Sequence, residues 1–380
     1  MDFTVPKEWA ELTASVRDFT EREVESIWRK IEDDDEVPAA VLKRAGDLGL
    51  FGLTIPEQYG GLGLPMLAKA LVYETLGHTH AGFVSIIGTH CGIGTTAIVG
   101  LGNDAQKSFF LPKLATGEWI GAFALTEPGA GSDASSIATT ATRKGDRWIL
   151  NGTKHFITNS RIARIFTTFA VTDKTKGSKG ISAFIVPRDA KGLTISRFQP
   201  TMGLRGSHVA ELAFADCEIP AENLLGPEGE GYSAALRTLA HGRVGIGARC
   251  VGASDRCIQL SVDYAKARKQ FGKPIAEFQL IQAQLAEMAA ENAAARQLAY
   301  YAASLIDEGK SARREAAMTK LICTETYGRI VDKAVQIHGG MGYCKDVQVE
   351  HFYRDARITR IYEGTSEIQK LIIARDMLEN

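Results

Sequence analysis

The sequence predicts an α+β multidomain protein with a helical region first, a β region in the middle and a second helical region at the end. Three observations carry that expectation. From Trp9 onward Leu12, Val16, Phe19 and Ile27 recur at helical spacing, which gives the early segments an apolar face. Around Gly121 the texture changes to short β-type runs separated by turn-rich segments such as TDKTKGSKG. After GPEGEGY (226–232) the helical period returns, with Phe278, Ile281, Leu285 and Met288 on one face and a second long run from Ser311 to His338. The expected boundaries are 1–119, 120–228 and 229–380.

Within the first region, helix starts are marked by Pro38 and Pro65 and by Asn103, whose capping box Gln106 completes. In the middle, Ala134 to Arg143 is rich in Thr and small residues, Lys144 to Arg147 reads as a turn, and Trp148 to Leu150 resumes a strand. Further strands are expected at Ile165 to Val171, Ile181 to Val186, Leu193 to Phe198 and Glu211 to Phe214. Strands and helices do not alternate as a doubly wound sheet requires, and no internal repeat is present.

Composition narrows the function. The 380 residues are 45% hydrophobic and 23% charged, enough for more than one packed core. Lys and Arg number 44 against 45 Asp and Glu, so no basic excess is available for a nucleic-acid backbone. The apolar run Phe83 to Ile87 is far shorter than the roughly 20 residues that cross a bilayer, so no membrane partner is expected. The N-terminal segment lacks the basic start and apolar core of a targeting signal, which makes a cytoplasmic location the expectation. Cys91, Cys217, Cys250, Cys257, Cys323 and Cys344 form no C-x-x-C pair, so buried reduced thiols are expected rather than a metal site.

Several glycine motifs call for weighing. GIGTTA (92–97) matches a dinucleotide fingerprint in form, but it runs into the helix capped by Asn103 instead of a second parallel strand. Tight helix packing explains it better. QIHGGMGY (336–343) closes a long helical run, where either a helix cap or a bare backbone against a cofactor would account for three glycines. FALTEPGAGSDASS (123–136) joins the helical and β regions, and reads equally as a capped turn or as a cradle for a phosphate or a ring edge. In NGTKHFITNS (151–160), Phe156 and Thr158 fall on one face of a strand. That arrangement suits a flat ring, and equally a half-buried strand.

FALTEPGAGSD, NGTKHFITN, QIHGGMGY and IYEGTSEIQ together, in that order, resemble the acyl-CoA dehydrogenase family. ARKQFGKPIAEFQ (267–279) and PEQYGGLG (56–63) extend the resemblance over essentially the whole chain. It implies a middle domain of two packed sheets, a C-terminal four-helix bundle, FAD as cofactor and a homotetramer in which a neighbouring subunit completes the site. By motif, Phe123, Leu125, Thr126, Gly131 and Ser132 would line the flavin and pyrophosphate, with Phe156, Ile157 and Thr158 against the ring. Arg268, Phe271, Gln279, Gln336, Gly339 and Gly340 match positions that hold the adjacent protomer's dinucleotide, and Thr365 and Glu367 would finish the cofactor site. Phe156 stands where many members have Trp, Ala240 where an acid is frequent, and His338 where an apolar residue is usual.

Glu363 by itself is an acid ahead of a helix start, with Ser366 and Gln369 spelling an S-x-x-Q capping box. The resemblance makes it the general base that removes the α-proton of an acyl-CoA while hydride leaves the β-carbon for the flavin. Other members carry the base at the position of Gly242, which cannot abstract a proton. Ser132, Gly242, Arg243 and Gly364 would face substrate, and Phe83 and Ile87 would close a short acyl pocket. The product would be a trans-2-enoyl-CoA, and the electrons would pass to an electron-transfer flavoprotein. Burial would raise the pKa of Glu363 and a helix terminus would lower it, so the net direction stays open. An enoyl-CoA reductase or acyl-CoA oxidase on the same scaffold is the alternative, and a noncatalytic acyl-CoA-binding protein a more distant one.

Overall fold

The apolar spacing of the first region folds into α1 (Lys7–Phe19), α2 (Trp28–Asp34), α3 (Ala39–Asp47), α4 (Met66–Gly77), α5 (Ala81–Thr89), α6 (Thr96–Leu101) and α7 (Asp104–Ala115). The computed structural model describes residues 5–379, so residues 1–4 and 380, in the first and last expected domains, lie outside it. The expected capping box at α7 is formed, with Gln106 N donating to Asn103 Oδ1 (2.9 Å) and Asn103 N to Gln106 Oε1 (3.0 Å). Gln106 Nε2 also donates to the carbonyls of Glu222 and Leu224, which ties α7 to the β region.

One difference from the sequence reading concerns α5 and α6. A π-helical turn, His90–Gly94, bridges them, so Ala81–Leu101 is a 21-residue helical run long and apolar enough, by length and composition alone, to cross a membrane. Here it is a core element. Phe83, Ile86, Ile87 and Cys91 are buried in the N-terminal core, with the Phe83 ring 6.0 Å from that of Phe19. A Cβ on Gly94 would lie 2.8 Å from the Gly121 carbonyl, so GIGTTA is close helix-on-strand packing, as expected. His90 fastens the same junction: Nδ1 accepts from Gly121 N (2.9 Å) and Nε2 donates to Leu114 O (3.1 Å). Burial lowers its pKa to about 4, which keeps the ring neutral.

The middle region comprises β1 (Ile120–Ala124), β2 (Thr140–Lys144), β3 (Arg147–Thr158), β4 (Ala163–Val171), β5 (Ile181–Pro187), β6 (Leu193–Phe198), β7 (Val209–Pro220) and β8 (Leu224–Leu225). Strand order is β6-β7-β3-β2-β4-β5-β8, with β1 parallel to β4. The two packed sheets are the two halves of this ladder, joined at β2 and β4 by the single pair Thr140 and Val171. They face each other across a shared core in which the Trp148 and Phe184 rings lie 5.2 Å apart.

The last region begins with α8 (Gly231–Ala267), followed by the hairpin of β9 (Lys269–Gln270) and β10 (Lys273–Pro274). Then come α9 (Gln279–Asp307), α10 (Arg313–His338), α11 (Val349–Thr359) and α12 (Ser366–Glu379). Helices α8, α9 and α10 pack on one another, with α11 and α12 against α10 and α4 along α8. The mutual packing of α4, α5 and α8 beside β1 and β3 leaves a space between the regions.

Candidate active site

That space is a cavity of about 1300 Å³, lined by α4, one face of α5 to α6, the 123–135 loop, residues 156–158, α8, residues 362–364 and α12. Glu363 enters it from the short connection between α11 and α12. Glu363 has φ 52° and Gly364 φ 96°, so the chain reverses sharply. A left-handed conformation costs a non-glycine residue about 1–2 kcal/mol, so it persists only where neighbours hold it. Both neighbours hold one carbonyl: Lys320 Nζ and Gln369 Nε2 donate to Gly364 O at 2.7 and 2.9 Å. The expected Ser366/Gln369 box is not formed. Ser366 gives its hydroxyl to Glu325 (2.6 Å), and the helix is capped one residue earlier, where Thr365 Oγ1 accepts from Ile368 N (3.3 Å).

The carboxylate itself is poorly compensated. Glu363 Oε2 is buried and has no hydrogen-bond partner. Burial raises the pKa of Glu363 above the usual carboxylate value, against the opposing charges of Lys320, Arg249 and Arg243. The direction left open by the sequence is thereby upward. Gly242 explains how the group fits, because a Cβ there would lie 2.3 Å from Glu363 Oε2. Arg243 is buried beside it with Nε unpaired, and Arg249 donates to the Tyr362 hydroxyl.

The opposite wall carries Phe123, Leu125, Thr126, Gly131, Ser132, Phe156, Ile157 and Thr158 together. A buried ion pair fixes its loop: Lys154 Nζ donates to Glu127 (2.7 Å) and to Leu125 O (2.9 Å), while the Glu127 carboxylate accepts from Ala138 N and Thr139 N. Burial lowers the Lys154 pKa to about 8; it pushes Glu127 the other way, but the Lys154 charge and these hydrogen bonds hold Glu127 below the carboxylate range. Phe156 and Thr158 do share the cavity wall, through a bulge between Lys154 and Ile157 at which Phe156 takes φ 56°. Phe156 is 62% exposed, and a Cβ on Gly131 would meet nothing within 4 Å. An open aromatic face and bare backbone on one wall fit a flat ring with a phosphate tail.

Other expected residues lie elsewhere. Arg268, Phe271, Gln279, Gln336, Gly339 and Gly340 are exposed at the far end of the C-terminal bundle, outside the cavity lining, where the Tyr264 and His338 rings stack at 4.4 Å. Thr365 and Glu367 also stand off the lining. Phe83 and Ile87 do not close the cavity: both are fully buried on the core side, and the same helical run turns Ser85, Gly88, Thr89 and Gly92 toward it. Bulky apolar residues go to the core and small ones to the cavity.

Lys154, Glu127 and Lys320 escaped the sequence reading. Period-two spacing places Lys154 with buried Trp148 and Leu150, and helical spacing places Lys320 with buried Ala316, Ala317 and Thr324. A lysine on an apolar face was the available signal.

A helical–β–helical chain with a desolvated carboxylate facing an aromatic, glycine-bearing wall defines a site that pairs a proton acceptor with room for a planar ligand. Comparison with known proteins supplies the family. The acyl-CoA dehydrogenase N-terminal domain matches residues 6–118, the middle domain 122–217 and the C-terminal domain 229–378. The chain belongs to the acyl-CoA dehydrogenase family. It is 42% identical over 376 residues to the human mitochondrial short-chain specific acyl-CoA dehydrogenase, covering 99% of this chain and 91% of that one. To acryloyl-CoA reductase (NADH) of Anaerotignum propionicum it is 44% identical over 381 residues, covering 100% and 96%. Among solved structures, a chain from work on the electron transferring flavoprotein of Acidaminococcus fermentans superposes with TM-score 0.98 at 39% identity, covering 100% of both. An acyl-CoA dehydrogenase complexed with FAD from Bacillus anthracis superposes at 0.93 and 38% identity, covering 99% of this chain and 67% of that one.

Proposed function

We propose that the protein dehydrogenates an acyl-CoA thioester to the trans-2-enoyl-CoA, with Glu363 taking the α-proton. The observation that carries this reading is the buried, unpartnered Oε2 of Glu363 on the wall of the cavity. Its raised pKa makes it a stronger base than a solvated carboxylate. The Glu363–Gly364 turn, clamped by Lys320 and Gln369, holds that oxygen in place, and the backbone N–H of Glu363 is available to a thioester oxygen as an oxyanion donor. FAD is the cofactor, held by Phe123, Leu125, Thr126, Gly131, Ser132, Phe156, Ile157 and Thr158, and when bound it accepts the β-hydrogen as hydride.

The lining carries Arg237, Arg243, Arg249, Arg313 and Arg375 against Asp133 and Glu363, a balance that suits a polyanionic CoA thioester. Ser132, Gly242, Arg243 and Gly364 face the substrate, and a short or branched acyl group is favoured by likeness to the short-chain relative. Arg268, Phe271, Gln279, Gln336, Gly339 and Gly340 serve the dinucleotide of an adjacent subunit in a homotetramer, and Thr365 and Glu367 finish that cofactor site. The three domains divide at 1–119, 120–228 and 229–380. Electrons pass to an electron-transfer flavoprotein, a reading supported by likeness to the chain solved in work on the electron transferring flavoprotein of Acidaminococcus fermentans, and the enzyme works in the cytoplasm. The relative named acryloyl-CoA reductase favours one second reading, the same chemistry run toward the saturated thioester.

The test is to purify the protein, look for bound FAD and titrate it anaerobically with acyl-CoA thioesters. Bleaching of the flavin is expected. Protein that takes up no FAD contradicts the proposal, and reoxidation of the reduced enzyme by enoyl-CoA much faster than reduction by acyl-CoA selects the reductase.

A further inference from the structure

We propose that α4 forms a carboxylate-recognition corner in this cavity, so that the preferred substrate is the monothioester of a short dicarboxylic acid; this rests on the acyl-CoA reading above.

Two residues of α4 that line the cavity carry polar groups with no hydrogen-bond partner among the described residues. Lys69 is half-buried and lines it, and among the described residues its ammonium has no ion pair or hydrogen bond. The nearby acid Asp307 is already engaged, its carboxylate accepting from the backbone N–H groups of Met66 (2.5 Å) and Leu67 (2.8 Å). One turn along, Tyr73 is 5% exposed, and its buried hydroxyl has no partner. Residues four apart on a helix project from one side with Cβ atoms about 6 Å apart, so the two groups form a single corner.

Packing on α8 locates that corner relative to the base. A Cβ on Gly242 would touch the Glu363 carboxylate, and one on Gly245, a turn later, would lie 3.1 Å from the Tyr73 ring. Tyr73 therefore stands beside the base, and Lys69 is one helical turn away from it. A purely hydrocarbon acyl group would seal off the half-buried Lys69 ammonium and leave the already buried Tyr73 hydroxyl without a partner, which is costly for a hydroxyl and more so for an ammonium. The ammonium can only donate and the hydroxyl can donate, so an acceptor answers both. A carboxylate at the end of the acyl chain offers one oxygen to each and neutralises the Lys69 charge, whose burial already lowers the lysine pKa.

The measurement is kcat/KM with an artificial electron acceptor for glutaryl-CoA and adipyl-CoA against butyryl-CoA and hexanoyl-CoA, using holoenzyme and Lys69→Met, Lys69→Arg and Tyr73→Phe variants. Bound FAD and melting temperature report on folding of each variant. The wild type should favour the dicarboxylic series by about tenfold or more, and Lys69→Met should abolish that ratio, mainly through KM for the carboxylated thioesters. Lys69→Arg should keep the preference, and Tyr73→Phe should reduce it partly. A wild type with no preference overturns the proposal. So does a Lys69→Met variant that weakens both series equally, the result expected if Lys69 holds a part common to every CoA thioester. Flavin bleached by no thioester of either series would instead contradict the acyl-CoA reading itself.

Discussion

The cavity and the far end of the C-terminal bundle both carry residues expected to hold a dinucleotide, yet they are built in opposite ways. At the cavity, Phe123, Thr126, Phe156 and Thr158 line the wall opposite Glu363 within one chain, backed by buried groups such as the Lys154–Glu127 pair. At the bundle end, Arg268, Gln279, Gln336 and Gly340 face solvent, and Phe271 is 93% exposed. A single chain thus contains every group proposed to take the proton. The outer residues gain a ligand only from outside the chain, which is what a shared cofactor site in an oligomer would provide.

The contrast can be broken most severely at the cavity. Lys154→Met leaves Glu127 buried and unpaired, and breaking such a pair costs about 3–5 kcal/mol. Chemical denaturation should show that loss together with FAD release, while the Lys154→Met, Glu127→Gln double variant recovers part of it. Gly242→Ala should displace the base by about an ångström and lower kcat by about 100-fold with FAD still bound, as stopped-flow flavin reduction would show. A normal rate in that variant would mean that Glu363 is not held where the structure puts it.

The next change is electrostatic. As the proposed base Glu363 must be deprotonated, and its pKa is raised by burial against Lys320, so activity should rise with pH through that raised value. Lys320→Met removes the largest opposing charge, and the acid limb of the kcat/KM profile should move to higher pH. An unmoved limb would reduce Lys320 to a clamp on Gly364. The smallest effect belongs to the bundle end. Arg268→Ala should weaken FAD binding by about tenfold, the value of one charge-assisted contact, and excess FAD should restore the rate. Loss of activity that FAD cannot restore would refute a purely outer role.

What the sequence made legible follows from how local each signal is. The Asn103–Gln106 box and the order of helices and strands depend on neighbours within a few residues and could be read directly. The Ser366–Gln369 box looked equally local, but Glu325 on α10 takes the Ser366 hydroxyl and shifts the cap to Thr365. Phe83 and Ile87 lie in a helix, as their spacing suggests, but face the core rather than the cavity, because rotation about a helix axis is set by packing against Phe19 and the N-terminal core. Neither Lys154–Glu127 nor the Lys69–Tyr73 corner has a local motif; each depends on where a polar side chain meets an apolar interior. Glu363 stands out as a candidate base only together with distant motifs, and its raised pKa comes from the burial that the fold supplies.

The most direct test of the central claim is the rate of anaerobic flavin reduction by an acyl-CoA substrate in Glu363→Gln compared with wild type, at equal FAD occupancy. Glu363 as the base predicts a fall of about 1,000-fold or more with substrate still bound. Reduction at the wild-type rate would show that another group takes the proton.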